Sequence, residues 1–386
     1  MSQETFFGKP KQQSIVKAEM VSGYFTAWAR VMANNAIRYP STWPDRFSYV
    51  DLFAGRGRYE DGSPCTAAMV LKRAIDVPAI RERVSILLND VDPTAVAELR
   101  KTVASTPGLD LLRDRPRVTN LRVDAELTRQ LQRPMVPTLF FLDPWGYKGL
   151  SFDLVSAAIK DRGSECILFF NFNRVNMHLA NSATQQSLAD LFGEERLDAL
   201  RPSLRNTTGT ERENIVMNAA EDALRETGGT HIRGFRFMDR AGSKTSHYVI
   251  HVAKDYAAYD IMRNIMAGKS SSTVGGLASY SFDPTKDGQL SLFDDDGGVR
   301  RLACELTQCF AGRTLTREQI TRAHSVGPDG RGTDYRDKDY REALLLLESE
   351  GRITCVPEER PEGTLAPHVE ITFDENEGTD NGTVKD

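Results

Sequence analysis

Acidic and glycine residues share one short stretch of the sequence, YVDLFAGRGRYEDG at residues 49–62. An apolar run ends there in Asp51, and Gly55 and Gly57 follow closely. Glycines let the backbone turn sharply and let a ligand approach amide groups that a side chain would screen. A carboxylate at the end of a strand attracts a cation and repels a pyrophosphate. The stretch therefore favours a positively charged, nucleotide-like ligand, and the alternative is a strand-to-helix turn that binds nothing.

The spacing of these glycines argues against a dinucleotide. It is G-x-G-x-x-x-x-G, whereas a dinucleotide site needs G-x-G-x-x-G opening directly into a helix. Here we expect a later helix, with Ser63 as its N-cap and Pro64 at its first position. S-adenosylmethionine carries an ammonium and a sulfonium group and has no phosphate, so it is the cofactor that we expect. The residues assigned to it in this stretch are Asp51, Phe53, Gly55 and Gly57.

Further carboxylates follow the next two apolar runs. In ILLNDVDP, Asp90 can accept hydrogen bonds from both hydroxyls of a ribose. Asp92 competes for that role, but it precedes Pro93 and is expected to cap the helix that starts there. In LRVDAEL, Asp124 is expected to end the third strand and to accept a hydrogen bond from the adenine amine. The alternative for Asp124 is an ordinary loop carboxylate.

The segment LFFLDPWGYKG resembles the motif of amino methyltransferases, and that resemblance implies an exocyclic amine as the methyl acceptor. An exocyclic amine is a poor nucleophile because its lone pair is delocalised into the ring. The Asp143 carboxylate and the Pro144 carbonyl can bind its hydrogens and direct the lone pair towards a sulfonium methyl group. Trp145 can stack on the base, and such stacking is worth roughly 1–3 kcal/mol. The alternative is a turn that carries a core tryptophan.

An alternation of strands and helices must position these residues. The apolar runs FSYVDLF, VSILLND, VTNLRVD, PTLFFLD and CILFFNF are separated by helical patterns, which predicts an α/β fold with a parallel sheet covered on both faces. FRFMD and HYVIHVAK predict an antiparallel pair at the sheet edge. Such sheets bind ligands at their carboxyl edge. We expect Tyr59 and Lys148 on loops there, and Asn171 and Asn173 along or just beyond the fifth strand, as substrate contacts.

The chain is expected to divide into five segments. Residues 1–46 contain an amphipathic helix that packs on the core, and residues 47–268 form the Rossmann-like domain with a helical insertion at about 175–230. Residues 269–297 are expected to be a linker, and residues 298–373 a winged-helix-like domain, with a capping box at Thr316 and Gln319. Residues 374–386 form an acidic tail that we expect to be disordered. Candidate phosphate contacts in the winged helix are Arg300, Arg301, Arg313, Arg317 and Arg322.

Composition excludes some classes of protein and leaves others open. The net charge of −5 gives no global signature of a nucleic-acid binder, although a local basic groove is compatible with it. The five cysteines are scattered and the histidines lack ligand spacing, so we expect reduced thiols and no metal. We also expect no membrane span and no signal peptide, and therefore a cytoplasmic protein.

The motifs DLFAGRG, NDVDP, VDAEL and LDPWG, in this order, resemble those of class I S-adenosylmethionine-dependent methyltransferases. Over most of its length the chain resembles the three-Cys-motif partner (TcmP) family, through DLFAGRGRYEDGSP, DPWGYKGLSF, HYVIHVAK and the early YFTAW. That resemblance implies a companion protein with a three-cysteine motif. The family's Lys-His pair ahead of the first helix is not carried over, because KPKQQSIVK contains no histidine.

The DPWG segment is also similar to the [DNS]-P-P-[YFW] motif of amino methyltransferases, and more closely to the D-P-F-G variant in enzymes that methylate the exocyclic amine of guanine in tRNA. The second proline of that motif is missing, so the acceptor pose cannot be copied. Two interpretations remain. One is a methyltransferase acting on a nucleic-acid amine with a partner protein; the other is a non-catalytic or sensor protein that keeps the cofactor pocket and acts through that partner. A small-molecule or protein methyltransferase is a third possibility.

Overall fold

The structure is a computed structural model and describes residues 12–146, 149–179, 185–286, 297–327, 330–357, 360–361 and 363–375. The chain divides into two compact units. The first comprises Met1–Ser271 with Tyr280–Asp287, and the second comprises Ser272–Ser279 with Gly288–Asp386. The greater part of the expected acidic tail lies outside the described residues.

An eight-stranded sheet forms the centre of the first unit, in the order β10-β6-β7-β5-β4-β1-β2-β3. Strands β1 to β5 are parallel to one another, whereas β7 is antiparallel to both β5 and β6. Every residue of β4 is buried, as expected for a central strand covered on both faces. The strands of this sheet are β1 Phe47–Asp51, β2 Val84–Asn89, β3 Arg117–Thr119, β4 Thr138–Leu142, β5 Glu165–Phe170, β6 His231–Met238, β7 Thr245–Ala253 and β10 Ser281–Phe282.

Helices cover this sheet. The first packs against α2 and α11 through a buried apolar face, and the indole of Trp28 donates a hydrogen bond to the carbonyl of Gly163 at 3.1 Å. Helices α7 to α10 occupy the region of the expected insertion. The helices are α1 Gln12–Arg38, α2 Thr66–Asp76, α3 Pro78–Arg81, α4 Pro93–Ala104, α5 Ala125–Leu131, α6 Phe152–Ile159, α7 Phe172–His178, α8 Gln185–Phe192, α9 Glu194–Ser203, α10 Gly209–Glu226 and α11 Tyr256–Ala267.

The second unit has a winged-helix arrangement. Its helices are α12 Gly297–Phe310, α13 Arg317–Ser325 and α14 Asp337–Ser349, and its antiparallel sheet has the order β11-β13-β12. The strands are β11 Thr314–Thr316, β12 Ile353–Val356 and β13 Glu370–Phe373. The capping box of Thr316 with Gln319 at the start of α13 is confirmed. The predicted α/β fold, with a largely parallel sheet covered by helices and a winged helix in the second unit, is therefore confirmed.

The segment predicted to be a linker contains short strands. Residues Thr273–Val274 (β8) and Leu277–Ala278 (β9) pair as a hairpin around Gly275 and Gly276, and both glycines have positive φ values, 58° and 78°. Two glycines with positive φ suit the tight turn of a two-residue hairpin. The turn formers that predicted a linker instead build this turn. Within the described residues, no helix is long and apolar enough to cross a bilayer.

Candidate functional site

The loops at the carboxyl edge of the sheet are joined by one buried side chain, Asn89 at the end of β2. Its amide nitrogen donates hydrogen bonds to the carbonyls of Leu52 and Leu121, both at 3.0 Å. Its amide oxygen accepts from the hydroxyl of Thr119 at 2.9 Å and from the N–H of Leu121 at 2.8 Å. Asn89 therefore fixes the segments after β1, β2 and β3 to one another. The sequence analysis did not identify it, although an asparagine inside an apolar run was a signal.

Asp51 ends β1 and is only 1% exposed. Its Oδ1 accepts a hydrogen bond from the N–H of Phe53 at 3.0 Å. Burial raises the pKa of Asp51 well above its ordinary value; the Phe53 hydrogen bond opposes that rise, and the neighbouring carboxylates of Asp143 and Asp90 add to it. The nearby Lys17 ammonium offsets this rise only in part, so Asp51 is a desolvated acidic group whose pKa stays raised. Such a group favours a cationic ligand.

Asp90 is bound to the glycine loop. Its Oδ2 accepts the N–H of Gly55, and its Oδ1 accepts the N–H of Asp92, both at 2.9 Å. Asp92 itself caps α4, because its carboxylate accepts the N–H of Thr94 at 2.8 Å. The expectation that Asp92 is a cap is confirmed. Asp90 holds the loop in place and keeps further lone pairs for a ligand, since each carboxylate oxygen can accept more than one hydrogen bond.

The two glycines of the loop adopt positive φ, 63° at Gly55 and 84° at Gly57. A Cβ atom on Gly57 would lie 2.9 Å from Cγ2 of Thr102 in α4. Gly57 therefore lets α4 pack closely against the loop, which is a reason for glycine that does not involve a ligand. The ring of Phe53 lies 3.5 Å from the position of a Cβ on Gly149.

The helix after this loop begins later than the sequence indicated. It starts at Thr66 with Cys65 as N-cap, so the assignment of Ser63 and Pro64 to its start was wrong. The intervening residues form a small hairpin instead: Arg58 and Pro64 make an antiparallel bridge, and the N–H of Tyr59 donates to the carbonyl of Ser63 at 2.9 Å.

The sequence suggested that Asp124 ends the third strand, but in the structure it does not. Strand β3 stops at Thr119, and Asp124 caps α5, where its Oδ1 accepts the N–H groups of Glu126 at 3.0 Å and Leu127 at 3.1 Å. The chain between them is held by side-chain hydrogen bonds rather than by strand pairing. Asp124 is exposed and lines a groove of about 520 Å³ together with residues of α5 and α6.

Asp143, just beyond β4, is paired with a lysine that the sequence analysis did not consider. Nζ of Lys17, on α1, lies 2.5 Å from Oδ2 of Asp143 and 4.7 Å from the ring centroid of Phe169. Lys17 is 9% exposed. Burial disfavours the ammonium, but the charge and hydrogen bond of Asp143, together with the nearby Tyr59 and Asp51, outweigh burial and raise the pKa of Lys17. A lysine on the apolar stripe of α1 was the signal in the sequence.

The residues after Asp143 differ in burial. Pro144 is buried, whereas Trp145 is 44% exposed. Trp145 is thus not a core tryptophan. Gly146 follows with a φ of 85°, and Nη1 of Arg174 lies 3.3 Å from the position of a Cβ on Gly146. The turn therefore presents an aromatic ring at the sheet edge beside a guanidinium group.

The four proposed substrate contacts have different settings. Tyr59 lies beside α1: burial raises its pKa, while the nearby Lys17 ammonium and a hydrogen bond with Ser14 oppose that rise. Asn171 and Asn173 lie just beyond the fifth strand rather than along it, since β5 ends at Phe170 and Asn171 caps α7 by accepting the N–H of Arg174 at 3.2 Å. Asn173 is exposed on that helix. Lys148 lies outside the described residues.

The five winged-helix arginines also differ. Arg317 is 7% exposed and its Nη1 lies 2.6 Å from Oδ1 of Asp337, so its assignment as a phosphate contact was wrong. Arg317 is buried because it is the first residue of α13 and faces the start of α14. Arg301 is exposed, and its Nε donates to the hydroxyl of Tyr335 at 2.8 Å. Arg300, Arg313 and Arg322 are exposed as well. Among the residues described, no group of three or more His, Cys, Asp or Glu side chains could hold a metal ion.

Comparison with known proteins gives one family match. Residues 281–360 match the GMT-like wHTH domain. No curated protein shows significant sequence similarity to the chain.

Several solved structures are similar over part of the chain. Protein LPL1258 of Legionella pneumophila has 12% identity, covers 64% of this chain and 89% of its own, and has a TM-score of 0.37. A methyltransferase domain of bacterial CtHen1 has 12% identity, covers 60% of this chain and 98% of its own, and has a TM-score of 0.29. A SAM-dependent methyltransferase of Agrobacterium tumefaciens has 9% identity, coverage of 62% and 62%, and a TM-score of 0.32. Because these TM-scores are low, the functional argument below uses only the residues of this chain.

Proposed function

We propose that the chain is an S-adenosylmethionine-dependent methyltransferase that acts on an exocyclic amine of a nucleic-acid base. The observation that carries the proposal is the meeting of Asp51 and Asp143 at the ends of the neighbouring strands β1 and β4. One carboxylate is deeply buried and suits a cation, and the other stands beside an exposed aromatic ring. This pairing supports a cationic methyl donor next to a planar amine.

The acidic groups of the site fit the proposed cofactor by their charge. S-adenosylmethionine supplies, when bound, a methyl group activated by a sulfonium. Asp51 would hold its ammonium group, and Asp90, already fixed by Gly55, would accept from the ribose hydroxyls. Asp124 lines a groove that could receive the adenine. Phe53 and Gly57 shape the loop that carries these contacts.

The acceptor would be held by the turn after β4. Asp143 and the carbonyl of Pro144 would accept the two amine hydrogens and direct the nitrogen lone pair towards the methyl group. The N–C bond forms as the S–C bond breaks, and the surplus amine proton leaves through Asp143 to water. Trp145 would stack on the base, worth roughly 1–3 kcal/mol. Alignment of the reacting atoms would account for most of the rate enhancement.

The second unit supports a nucleic-acid substrate. A winged helix is compatible with such binding, and the exposed residues Arg300, Arg301, Arg313 and Arg322 are its candidate phosphate contacts. Tyr59, Asn171, Asn173 and Lys148 are proposed to contact the substrate near Asp143. The companion protein with a three-cysteine motif is proposed from the sequence resemblance alone.

A second function is favoured by one observation. Asp143 already has a cationic partner in Lys17, so one of its two oxygens is engaged before any substrate binds. A protein that binds the cofactor as a signal, and transmits its presence to a partner, would also use this arrangement. Recovery of methylated nucleic acid distinguishes the catalytic function from this one.

The test is methyl transfer from tritiated S-adenosylmethionine to total nucleic acid. We expect labelling by the wild type and its loss in Asp143→Asn, while Trp145→Ala labels weakly and Trp145→Phe retains more. Asp76→Asn is the matched control, because Asp76 also pairs with a lysine, Lys72, at 2.8 Å but on the exposed face of α2. Equal labelling by wild type and Asp143→Asn would end the catalytic assignment.

A further inference from the structure

The ion pair between Lys17 and Asp143 joins residues that lie far apart in the sequence. Lys17 comes from a helix whose inner face, including Met20, Val21 and Tyr24, is buried in the core. The lysine backbone is therefore held firmly, and its ammonium reaches Oδ2 of Asp143 with little freedom. Among the described residues, no other donor is hydrogen-bonded to the Asp143 side chain.

We propose that Lys17 is a positioning residue for methyl transfer: its ammonium holds Asp143 by Oδ2 and leaves Oδ1 oriented to accept a hydrogen from the substrate amine. This inference rests on the proposed function. Lys17 does not touch the reacting atoms in it; it acts through Asp143.

Charge explains why Asp143 needs such a partner. Asp51 and Asp143 lie near each other, and the negative charge of Asp143 adds to the raised pKa of the buried Asp51. The ammonium of Lys17 acts on both carboxylates and offsets part of their mutual repulsion. It also holds one oxygen of Asp143, so that the other oxygen can accept a hydrogen from an amine. Asp51, Tyr59 and Cys65 are the other titratable groups around Lys17.

The energetics do not favour a purely stabilising role. Taking an ammonium and a carboxylate out of water costs several kcal/mol per ion, which their attraction often only offsets, so an apolar residue on α1 could stabilise the helix equally well. Here the ammonium also lies 4.7 Å from the ring centroid of Phe169, an arrangement that attracts a cation. Two elements, the end of β4 and strand β5, thus fix the position of one charge.

Tyr59 extends the same contact to the glycine loop. Tyr59 lies near Ser14, one turn before Lys17 on α1, and both residues affect the pKa of its hydroxyl. Helix α1 therefore forms a wall of the site, and Lys17 is the charged group of that wall closest to Asp143. A substitution that removes another contact of α1 can therefore separate the loss of the Lys17 charge from a loosening of the helix.

The experiment compares Lys17→Met, Lys17→Arg and Lys269→Met in methyl transfer to total nucleic acid across pH, with calorimetric binding of S-adenosylhomocysteine as a second readout. Lys17→Met keeps the length of the side chain without the charge, and Lys17→Arg keeps the charge. Lys269→Met is the matched control, because Lys269 binds Glu19 of the same helix at 2.6 Å and does not contact Asp143.

We expect Lys17→Met to lower labelling at least about tenfold at neutral pH and to retain binding of S-adenosylhomocysteine. Lys17→Arg should restore part of the activity, and Lys269→Met should label as the wild type does. Equal labelling by Lys17→Met and wild type would overturn the inference about Lys17 but not the proposed function. An equal loss in Lys269→Met would assign the effect to helix packing and overturn it as well. A folded wild type that binds the cofactor without labelling any nucleic acid would instead overturn the proposed function, and this inference with it.

Discussion

The N–H of Gly55 donates a hydrogen bond to Oδ2 of Asp90 at 2.9 Å, so the glycine loop after β1 and the carboxylate after β2 form one structural unit. The other oxygen of Asp90 accepts the N–H of Asp92. A ligand that binds Asp90 therefore meets a carboxylate whose orientation is already fixed. Fixing the group in advance lowers the entropic cost of binding.

Asp90→Ala should weaken cofactor binding more than it weakens the fold. It removes two charge-assisted hydrogen bonds, each worth about 1.5–3 kcal/mol, but at a position that water can reach to replace them in part. We expect loss of S-adenosylhomocysteine binding by calorimetry with a drop of about 1–2 kcal/mol in the free energy of urea unfolding. Asp92→Ala, which removes a helix cap, is the control. It should lose a similar amount of stability and retain binding of S-adenosylhomocysteine. Retained binding in Asp90→Ala would contradict the ribose assignment.

Asn89→Ala should be strongly destabilising. The side chain is buried and uses both donor hydrogens and its acceptor oxygen to join three loops, and its removal leaves the Leu52 and Leu121 carbonyls without these donors. We expect the free energy of unfolding to fall by about 3 kcal/mol. Asn120→Ala is the matched variant, since exposed Asn120 also donates to two carbonyls, of Asp90 and Val91. If denaturant titrations show the same small decrease in the free energy of unfolding for both variants, the role given to Asn89 is contradicted.

Asp51 should make cofactor affinity depend on pH. Burial raises its pKa above the ordinary value of 3.8, and a cationic ligand favours the ionised form, so binding releases a proton and affinity rises with pH through the raised pKa. Calorimetry in buffers of different ionisation enthalpy measures that proton. In Asp51→Asn the dependence should disappear along with most of the affinity. Proton uptake on binding, in place of release, would contradict this prediction.

The same group should make stability depend on pH in the opposite sense. Because its folded-state pKa is raised, its contribution to stability is present below the unfolded value of 3.8 and is lost as pH rises through the folded value. Above that range Asp51→Asn should unfold at higher urea concentration than the wild type, since a neutral amide avoids burying the charge. A lower midpoint for the variant in the same pH range would show that the charge is compensated in the folded protein.

In the winged helix, two arginines should have opposite effects. Arg317→Met removes a buried guanidinium whose partner, Asp337, is half-exposed, and should lower the free energy of unfolding by about 1–2 kcal/mol. Arg322→Met, on the exposed face of the same helix, should leave stability unchanged but weaken duplex DNA binding, and each phosphate contact contributes about −0.9 to the salt slope. Binding that is insensitive to salt would exclude phosphate contacts by this unit.

The sequence was sufficient where local patterns determine the outcome. Apolar runs between helical patterns predicted the parallel sheet and placed Asp51, Asp90 and Asp143 near the ends of β1, β2 and β4, because the strand period and burial are local properties. The cap at Asp92 followed from the proline after it. The start of α2 was not predicted correctly. Ser63 and Pro64 have the composition of a helix start, but they belong to the small hairpin closed by the bridge between Arg58 and Pro64.

The residues that were missed depend on contacts between distant parts of the chain. Lys17 meets Asp143 across 126 positions, and no local pattern indicates which carboxylate a lysine on an apolar stripe will face. Arg317 was expected at the surface because arginine usually is, but Asp337 from another helix pairs with it. Asp124 was placed at a strand end, although a carboxylate before AEL suits a helix cap equally well.

The central claim is that acidic side chains at the carboxyl edge of the sheet bind a cationic adenosyl amino acid. Calorimetry of the full chain with S-adenosylmethionine and S-adenosylhomocysteine, for wild type and Asp51→Ala, tests it most directly. We predict that the wild type binds both compounds with one site and that Asp51→Ala binds neither, while circular dichroism shows both proteins folded. A folded wild type that gives no binding heat with either compound at millimolar concentration, and no shift in melting temperature, would contradict the claim.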